Sequence, residues 1–377
     1  MSTAQDYLGA IVRRARERME PADFEVDWAD MPRRGKLYLD VPQLALDEVT
    51  GGDPAEFNLS LLAGMLADTY AESDRRLAVH ANSDVDDLPR YHGASFSRGV
   101  ASGGGRYPVS IYLVSGPSAE PTPGLYYYST NHHSLQRLIT GDLTPAVADA
   151  VGQPAAQYLV LGIKFWQNAF KYNSFCYHAV TMDIGTITEA WRWWARDHGF
   201  ELKPALWFDE PALSELLGLD PADEGIFAVI PLTRTAPPSA PAPAPPVRVT
   251  ARDHEISSTV LRFDAVTEMQ LAALQGCADR PTSQQLQSAN RVAGPAGVEV
   301  TLPDPLPLQG TVRQALSSRR SSFGRFTSTT KTTTQELSTM LAAGIRAGRF
   351  PSDAADELDL VTLFVFCLLY TSDAADE

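Results

Sequence analysis

The sequence predicts an α+β fold, and three observations lead to that prediction. Hydrophobic residues make up 44% of the 377-residue chain, which is enough to build real cores. Segments with helical spacing of apolar residues outnumber short strand-like runs, and the two kinds alternate in mixed order. A proline- and alanine-rich stretch at 236–247 interrupts the pattern, so we expect two units joined by a semi-rigid linker.

The first unit, 1–235, is predicted to hold most of the regular structure. Its helices are expected within 1–25, at Leu59–Tyr70, from Leu135 onward, and at Phe175–His198, where Gly199 is a suitable residue to end the helix. Strands are predicted at Val109–Val114 and Leu125–Tyr128, which would form a hairpin, and at Glu224–Leu232, whereas 154–165 fits either structure.

The second unit, 248–366, has weaker signals. We expect a strand at Ser258–Phe263, helices at Val266–Leu274, Thr311–Ser318 and Thr334–Ile345 with Thr334 as N-cap, and a strand-like run at Leu358–Phe366. The run is broken by CLLYTSDAADE at 367–377, which resembles a translated sequencing adapter. We therefore expect these last residues to be non-native and the natural protein to continue past Phe366.

Charge and composition exclude several classes of protein. A net charge of −15 opposes binding to nucleic acid, because phosphate groups would be repelled. The three cysteines lie far apart and suggest no disulfide framework, which fits a reducing cytoplasm. The N-terminus lacks the apolar core of a signal peptide, and no apolar run is long enough to predict a membrane span.

Several short motifs occur in an informative order. They are SGGGRYP at 102–108, PGLYYY at 123–128, the pair Lys171-Tyr172 followed by Tyr177, Asp183 and Gly185, the stretches at 208–220 and 224–232, and RRSSFGRF at 319–326. Together they resemble the SagB-type dehydrogenases of the nitroreductase superfamily, which serve thiazole/oxazole peptide pathways. The resemblance implies an FMN-dependent, nitroreductase-like α+β fold with a mixed or antiparallel sheet flanked by helices, followed by an incomplete second copy.

Two segments are candidates for holding the flavin. Arg319, Arg320 and Ser321 offer forked guanidinium donors and a hydroxyl, which suit a phosphate group, although a solvated basic turn is the alternative. The segment Ser102, Gly103 and Gly104 would let the backbone approach a cofactor closely, unless it is only a flexible loop.

The resemblance implies a catalytic role for Lys171 and Tyr172. Oxidation of an azoline ring removes a proton from carbon and a hydride equivalent, and the flavin would take the hydride. We expect the Lys171 ammonium to favour the Tyr172 phenolate as proton acceptor. The alternative is that Tyr172 only packs in a core.

The resulting prediction is an FMN-dependent oxidoreductase that converts azolines to azoles in a ribosomally synthesised peptide. Expected partners are the precursor peptide and a YcaO-type cyclodehydratase, with the flavin interface formed within the chain or in a homodimer. The alternatives are a nitro, quinone or dehydroamino-acid reductase, and a flavin-free scaffold or peptide-binding subunit. No metal site is expected, because the adjacent residues His132 and His133 lack spaced acidic or cysteine partners.

Overall fold

The computed structural model describes residues 3–47, 56–77, 94–232, 247–287, 297, 299–321, 331–348, 352–353 and 363–365. Almost all of the predicted linker, 236–246, and the whole predicted non-native tail, 367–377, lie outside the described residues. The strand-like run predicted at 358–366 is described only at 363–365, where it has no regular structure.

The centre of the fold is a six-stranded sheet in the order β1-β6-β5-β4-β7-β8, and every neighbouring pair in it is antiparallel. A separate hairpin pairs β2 with β3. The strands are β1 (Gln43–Ala45), β2 (Asp74–Leu77), β3 (Ala94–Ser97), β4 (Val109–Ser115), β5 (Gly124–Ser129), β6 (Ser134–Thr140), β7 (Gln157–Lys164) and β8 (Glu224–Pro231).

Helices flank this sheet. They are α1 (Thr3–Arg13), α2 (Leu59–Thr69), α3 (Thr144–Val151), α4 (Trp166–Tyr172), α5 (Cys176–Asp197), α6 (Glu210–Leu217), α7 (Asp264–Gly276), α8 (Ser283–Gln287), α9 (Val312–Ser318) and α10 (Thr334–Gly348). None of the helices in the described part of the chain combines the length and the apolar character needed to cross a bilayer.

The sheet separates two hydrophobic cores. Along β4, Ile111 and Leu113 pack on the side of α2 and α5, whereas Tyr112 and Val114 pack on the side of α3 and α6. Every residue of β4 is buried, because side chains of a strand alternate between faces and both faces are covered. This double burial explains why VSIYLV is a continuous apolar run.

The long helix α5 is the main support of the first core. Its buried residues recur every three or four positions, so one face of the helix is apolar. Trp191 is fully buried and donates to Thr69 Oγ1 at the end of α2, 2.8 Å away. Gly199 follows the helix with φ +82°, the left-handed conformation expected of the residue that ends it.

Most predicted elements of the first unit are confirmed, including the hairpin of β4 and β5. The helix predicted from Leu135 is wrong, since Ser134–Thr140 is strand β6. Leu135, Leu138 and Ile139 have helical spacing, but over so few residues that spacing cannot separate a helix from a strand. The ambiguous segment 154–165 forms the central strand β7.

Past the linker, the predicted helices are present, and two details differ. Ser258–Phe263 is not a strand; it is an extended segment with no ladder partner in the described residues. The N-cap of α10 is Thr333 rather than Thr334, because Thr333 Oγ1 accepts from the backbone N–H of Glu336 at 3.1 Å. Phe263 and Val266 pack into the first core, so α7 lies directly on the first unit.

Candidate active site

The Lys171-Tyr172 pair lies where α4 ends and the chain turns into α5. Asn173 follows with φ +43°, which stops α4 and directs the chain through a short 3₁₀ turn. Both side chains are half-buried. The Lys171 ammonium lies 5.2 Å from the centre of the Tyr172 ring and 5.7 Å from that of Trp28. The pair is therefore fixed at a helix junction and partly open to solvent.

The glycine segment lies directly against this pair. Gly104 has φ +59°, and a Cβ added to it would fall 2.5 Å from Lys171 Nζ and closer still to the Tyr172 hydroxyl. The left-handed backbone conformation favours glycine at this position, and a side chain here would displace the ends of the Lys171 and Tyr172 side chains. The two segments that the sequence analysis treated separately thus form one site.

Asp183 on α5 holds the start of the glycine segment in place. Its Oδ1 accepts from the backbone N–H of Gly103 at 3.0 Å, and its Oδ2 accepts from Ser102 Oγ at 3.3 Å. Ser102 Oγ in turn accepts from the backbone N–H of Tyr107 at 2.8 Å. Burial raises the pKa of Asp183 to about 6, although both hydrogen bonds act to lower it.

Arg106 is buried behind the site and connects two segments that surround it. Its guanidinium donates to the carbonyls of Gln167 and Pro32 at 3.1 and 3.2 Å, and it lies over the ring of Phe170 at 4.4 Å. Burial, together with the charge of Arg34, lowers the pKa of Arg106 to about 10. Arg106 therefore joins the segment before β1 to α4, which carries the pair.

The expected phenolate is wrong. Burial and the nearby Asp183 carboxylate raise the pKa of Tyr172, and the weaker effects of Arg106 and Arg14 do not reverse this. The pKa of Lys171 is lowered instead, first by burial and then by the charges of Arg106 and Arg34. Tyr172 therefore keeps its proton at neutral pH, and the lowered pKa of Lys171 increases the fraction of its amine that is neutral and able to accept a proton.

The Arg-Arg-Ser cluster directly follows α9. It lies against the loop that precedes the glycine segment. Arg319 donates through Nε to the carbonyl of Gly99 at 2.9 Å and through Nη2 to those of Arg98 and Val100 at 3.4 and 3.3 Å. Arg320 donates to the carbonyls of Ser317 and Arg319, and it pairs with Asp74. Ser321 is exposed. The structure thus brings Arg319 to the loop two residues before Ser102.

Other candidates have structural positions. His133 Nδ1 lies 2.8 Å from the Tyr128 hydroxyl, whereas His132 is exposed. Cys176 is completely buried, and burial raises the pKa of its thiol, so it is an inert core residue. The tryptophans Trp191 and Trp194 are core residues too.

Sequence reasoning missed three contributors to the site. Arg106 directly follows the glycines but carries no local sign that it is buried. Asp183 was recognised in a motif without a role, and Arg34 was not considered. All three act through contacts between segments far apart in sequence, which spacing along the chain does not reveal.

Comparisons with known proteins address the fold. No protein-family model matches the sequence, and no curated protein matches it either. The chain is similar in structure to a presumed nitroreductase of Anabaena variabilis ATCC 29413, with a TM-score of 0.53 and 20% identity over 71% of this chain and 53% of that one. The chain thus spans about half the length of the Anabaena protein.

Two further solved structures are similar at lower scores. One is a chain of the Escherichia coli microcin synthetase McbBCD complex with truncated pro-MccB17 bound, with a TM-score of 0.38 and 14% identity over 61% of this chain and 82% of that one. The other is a presumed nitroreductase of Ralstonia eutropha JMP134, with a TM-score of 0.35 and 16% identity over 56% and 92%. The antiparallel sheet flanked by helices is a nitroreductase-like α+β fold.

Proposed function

We propose that the chain is an FMN-dependent oxidoreductase that oxidises azoline rings to azoles in a ribosomally synthesised peptide. The observation that carries the proposal is the contact of the Gly104 backbone with Lys171 and Tyr172 in a nitroreductase-like fold. The choice of an azoline substrate rests on the resemblance of the motifs to SagB-type dehydrogenases.

The residues of the site fit a flavin in their chemistry. Lys171 lies near the positive charges of Arg106 and Arg34, and such surroundings stabilise an electron-rich, anionic ring. Asn168 is fully buried one turn before Lys171, and its amide atoms have no hydrogen-bond partner among the described residues. A heterocycle with carbonyl and N–H groups would supply such partners.

The flavin, when bound, supplies a hydride acceptor. Its phosphate would be held by Arg319, Arg320 and Ser321, and its edge would lie against the backbone of Ser102, Gly103 and Gly104. Lys171 would accept the proton from the ring carbon, since its lowered pKa increases the fraction of neutral amine. Tyr172, which keeps its proton, would donate a hydrogen bond to the ring nitrogen and orient the substrate.

The remaining features of the proposal concern partners. The substrate would be a precursor peptide whose azolines are made by a YcaO-type cyclodehydratase. The flavin interface would form either between tandem units of one chain or between two copies of it.

The direct test is titration of FMN into the purified chain, followed by flavin absorbance and fluorescence. We expect binding, and we expect the double variant Arg319→Ala with Arg320→Ala to lose it. Arg313→Ala is the matched control, because Arg313 lies on the adjoining helix α9 and pairs with Asp68 at 2.8 Å, away from the cluster. Absence of FMN binding by the wild-type chain would refute the proposal.

A second experiment separates oxidation from reduction. An azoline dehydrogenase with bound FMN should oxidise an azoline-containing peptide without a nicotinamide, and Lys171→Met should abolish that activity. Rapid reduction of the flavin by NADPH, without azoline oxidation, would indicate a nitro, quinone or dehydroamino-acid reductase instead.

One observation favours a flavin-free peptide-binding subunit as the second candidate. The guanidinium of Arg319 already donates to three backbone carbonyls, and Arg320 is paired with Asp74. Donors engaged in this way would have to change partners to bind phosphate. Peptide binding by a chain that retains no FMN, unaffected by Tyr172→Phe, would support this candidate.

A further inference from the structure

A second pocket lies next to the site, between the segment before β1 and the turn that joins β5 to β6. It has a volume of about 290 Å³. Its walls include Arg33, Arg34 and Lys36 on one side and Thr130 and His132 on the other. All of its walls are described residues, and none of its side chains has been given a role in the proposed oxidation except Arg34.

The pocket is strongly cationic in a protein whose net charge is −15. Arg33 and Arg34 line it, and Arg98 reaches its wall by donating to Thr130 Oγ1 at 3.1 Å. The charge of Lys36 is offset elsewhere, since its ammonium is paired with Glu224 and bonded to the Tyr112 hydroxyl at 2.9 Å.

Among the described residues that line the pocket, acidic groups do not balance the charge of these arginines. Glu72 is the one carboxylate among the residues that line the pocket. The arginines repel each other, as the pKa of Arg34 indicates: it is lowered by burial and then by Arg98, and Glu72 opposes this only weakly. Like charges gathered in a half-buried space are costly unless a counter-charge joins them.

Two buried donors in this cluster lack an acceptor. Arg33 Nε and Arg98 Nη1 have no hydrogen-bond partner in the described part of the chain. Arg98 is only 3% exposed, and its guanidinium is fixed over the rings of Tyr70 and Tyr107 at 4.4 and 4.7 Å. A charged donor that is held rigidly and left without an acceptor destabilises the folded state. A ligand with acceptor oxygens would remove that cost.

We propose that this pocket binds an oxyanion, a phosphate or carboxylate group, through Arg33, Arg34 and Arg98. The group comes either from the phosphate of a nucleotide-type cofactor or from an acidic group of the substrate. Forked guanidinium donors suit both chemistries. The site is distinct from the Arg319–Ser321 cluster and does not depend on flavin binding.

The pocket is linked to the Lys171-Tyr172 pair through Arg106. The Arg106 guanidinium donates to Met31 Sδ at 3.0 Å and to the carbonyl of Pro32, so it fixes the start of the pocket wall to α4. The charge of Arg34 also lowers the pKa of Lys171. An anion bound at Arg34 would offset that charge and raise the pKa of Lys171, which couples occupancy of the pocket to the proton acceptor.

The test is calorimetric titration of the purified chain with inorganic phosphate and with acetate, at constant ionic strength. We expect saturable binding by the wild type and a loss of affinity of about ten-fold or more in Arg34→Gln, because one charge-assisted contact is removed. Arg33→Gln should behave alike. Arg16→Gln, a change at an exposed arginine of the same kind, should bind as the wild type does. Thermal unfolding of each variant confirms that it is folded.

The source of the anion is decided by comparing FMN with riboflavin, which differ only in the phosphate. If Arg34→Gln weakens FMN but not riboflavin, the pocket holds the cofactor phosphate, and the assignment of that phosphate to Arg319, Arg320 and Ser321 is wrong. If both flavins bind as before while inorganic phosphate or acetate binding is lost, the pocket serves an acidic group of the substrate. Absence of saturable anion binding by the wild type, or equal affinity of Arg34→Gln and Arg16→Gln, would overturn the proposal.

Discussion

The backbone of Gly104 lies against the hydroxyl of Tyr172, so that a Cβ added to Gly104 would displace this hydroxyl. This contact joins a loop that precedes β4 to the end of α4, two parts of the chain separated by four strands of the sheet and α3. It sets the position of Tyr172 from one side, while Asp183 sets the glycine segment from the other.

Gly104→Ala should destabilise the chain and displace the Lys171-Tyr172 pair. The left-handed conformation alone costs about 1–2 kcal/mol for a residue with a Cβ, and the collision with Tyr172 adds to it. Gly105→Ala is a matched control, since Gly105 has φ +64° but nothing within 4 Å of an added Cβ. Urea unfolding should show a larger loss for Gly104→Ala. Equal losses for the two variants would mean that the contact with Tyr172 is not restrictive.

Asp183 should make stability depend on pH. Its pKa in the folded chain, about 6, lies above the ordinary aspartate value of 3.8. The folded state therefore keeps this proton to higher pH than the unfolded state does, so the free energy of unfolding should fall as pH rises from about 4 to about 6. The whole effect is at most about 3 kcal/mol.

Asp183→Asn should remove this dependence and raise stability at pH 7, because an amide can still accept from Gly103 without burying a charge. Asp149→Asn, at an exposed aspartate, is the control and should leave the pH profile unchanged. Urea unfolding at a series of pH values gives the comparison. A wild-type profile that does not differ from that of Asp183→Asn would contradict the assignment of a raised pKa.

Lys36→Met should be strongly destabilising. The Lys36 ammonium is buried and pairs with Glu224, so its removal leaves a carboxylate without its partner, which costs about 3–5 kcal/mol. Arg262→Met, which removes an exposed cation bonded to Asp220 and Asp223, should cost far less because water screens that pair. The double variant Lys36→Met with Glu224→Leu should recover part of the loss, and a failure to do so would argue against a paired charge.

Phe263→Ala tests the predicted division of the chain. Phe263 is 5% exposed and packs in the first core, beside Phe24. If 248–276 folds as part of the first unit, the substitution should lower the stability of one common transition by about 3–5 kcal/mol. Separate units would instead give a second thermal transition, and only that transition would shift. Calorimetry distinguishes these outcomes.

Three of the six strands of the central sheet were predicted from the sequence. β4, β5 and β8 are apolar runs bounded by turn residues, and α5 is long enough for its spacing to be unambiguous. Strand β6 was not predicted, because the five residues of mixed polarity at 135–139 fit both a helix and a strand. The capping of α10 by Thr333 differs by one residue from the prediction, which is within the usual error at helix ends.

The sequence singled out residues that lie close together in the structure, but it did not indicate their electrostatics. Gly104, Lys171 and Tyr172 were all chosen from motifs, and the structure brings them together. The sequence predicted a lowered pKa for Tyr172, whereas its pKa is raised in the structure. Burial outweighs the neighbouring charges, and burial depends on tertiary packing. The roles of Asp183 and Arg106 follow from contacts that join distant segments.

The bonds from Arg319 to residues 98–100 have a consequence for synthesis of the chain. Arg319 follows Gly99 by 220 positions, so the loop leaves the ribosome long before its partner exists. At roughly 5–20 residues per second, the interval is about 10–40 s. Once α5 has been made, the nascent glycine segment has Asp183 on one side, but it has no arginine on its other side until residue 319 follows. The contact between Arg319 and residues 98–100 therefore forms late in biosynthesis, and it requires the part of the chain beyond the linker.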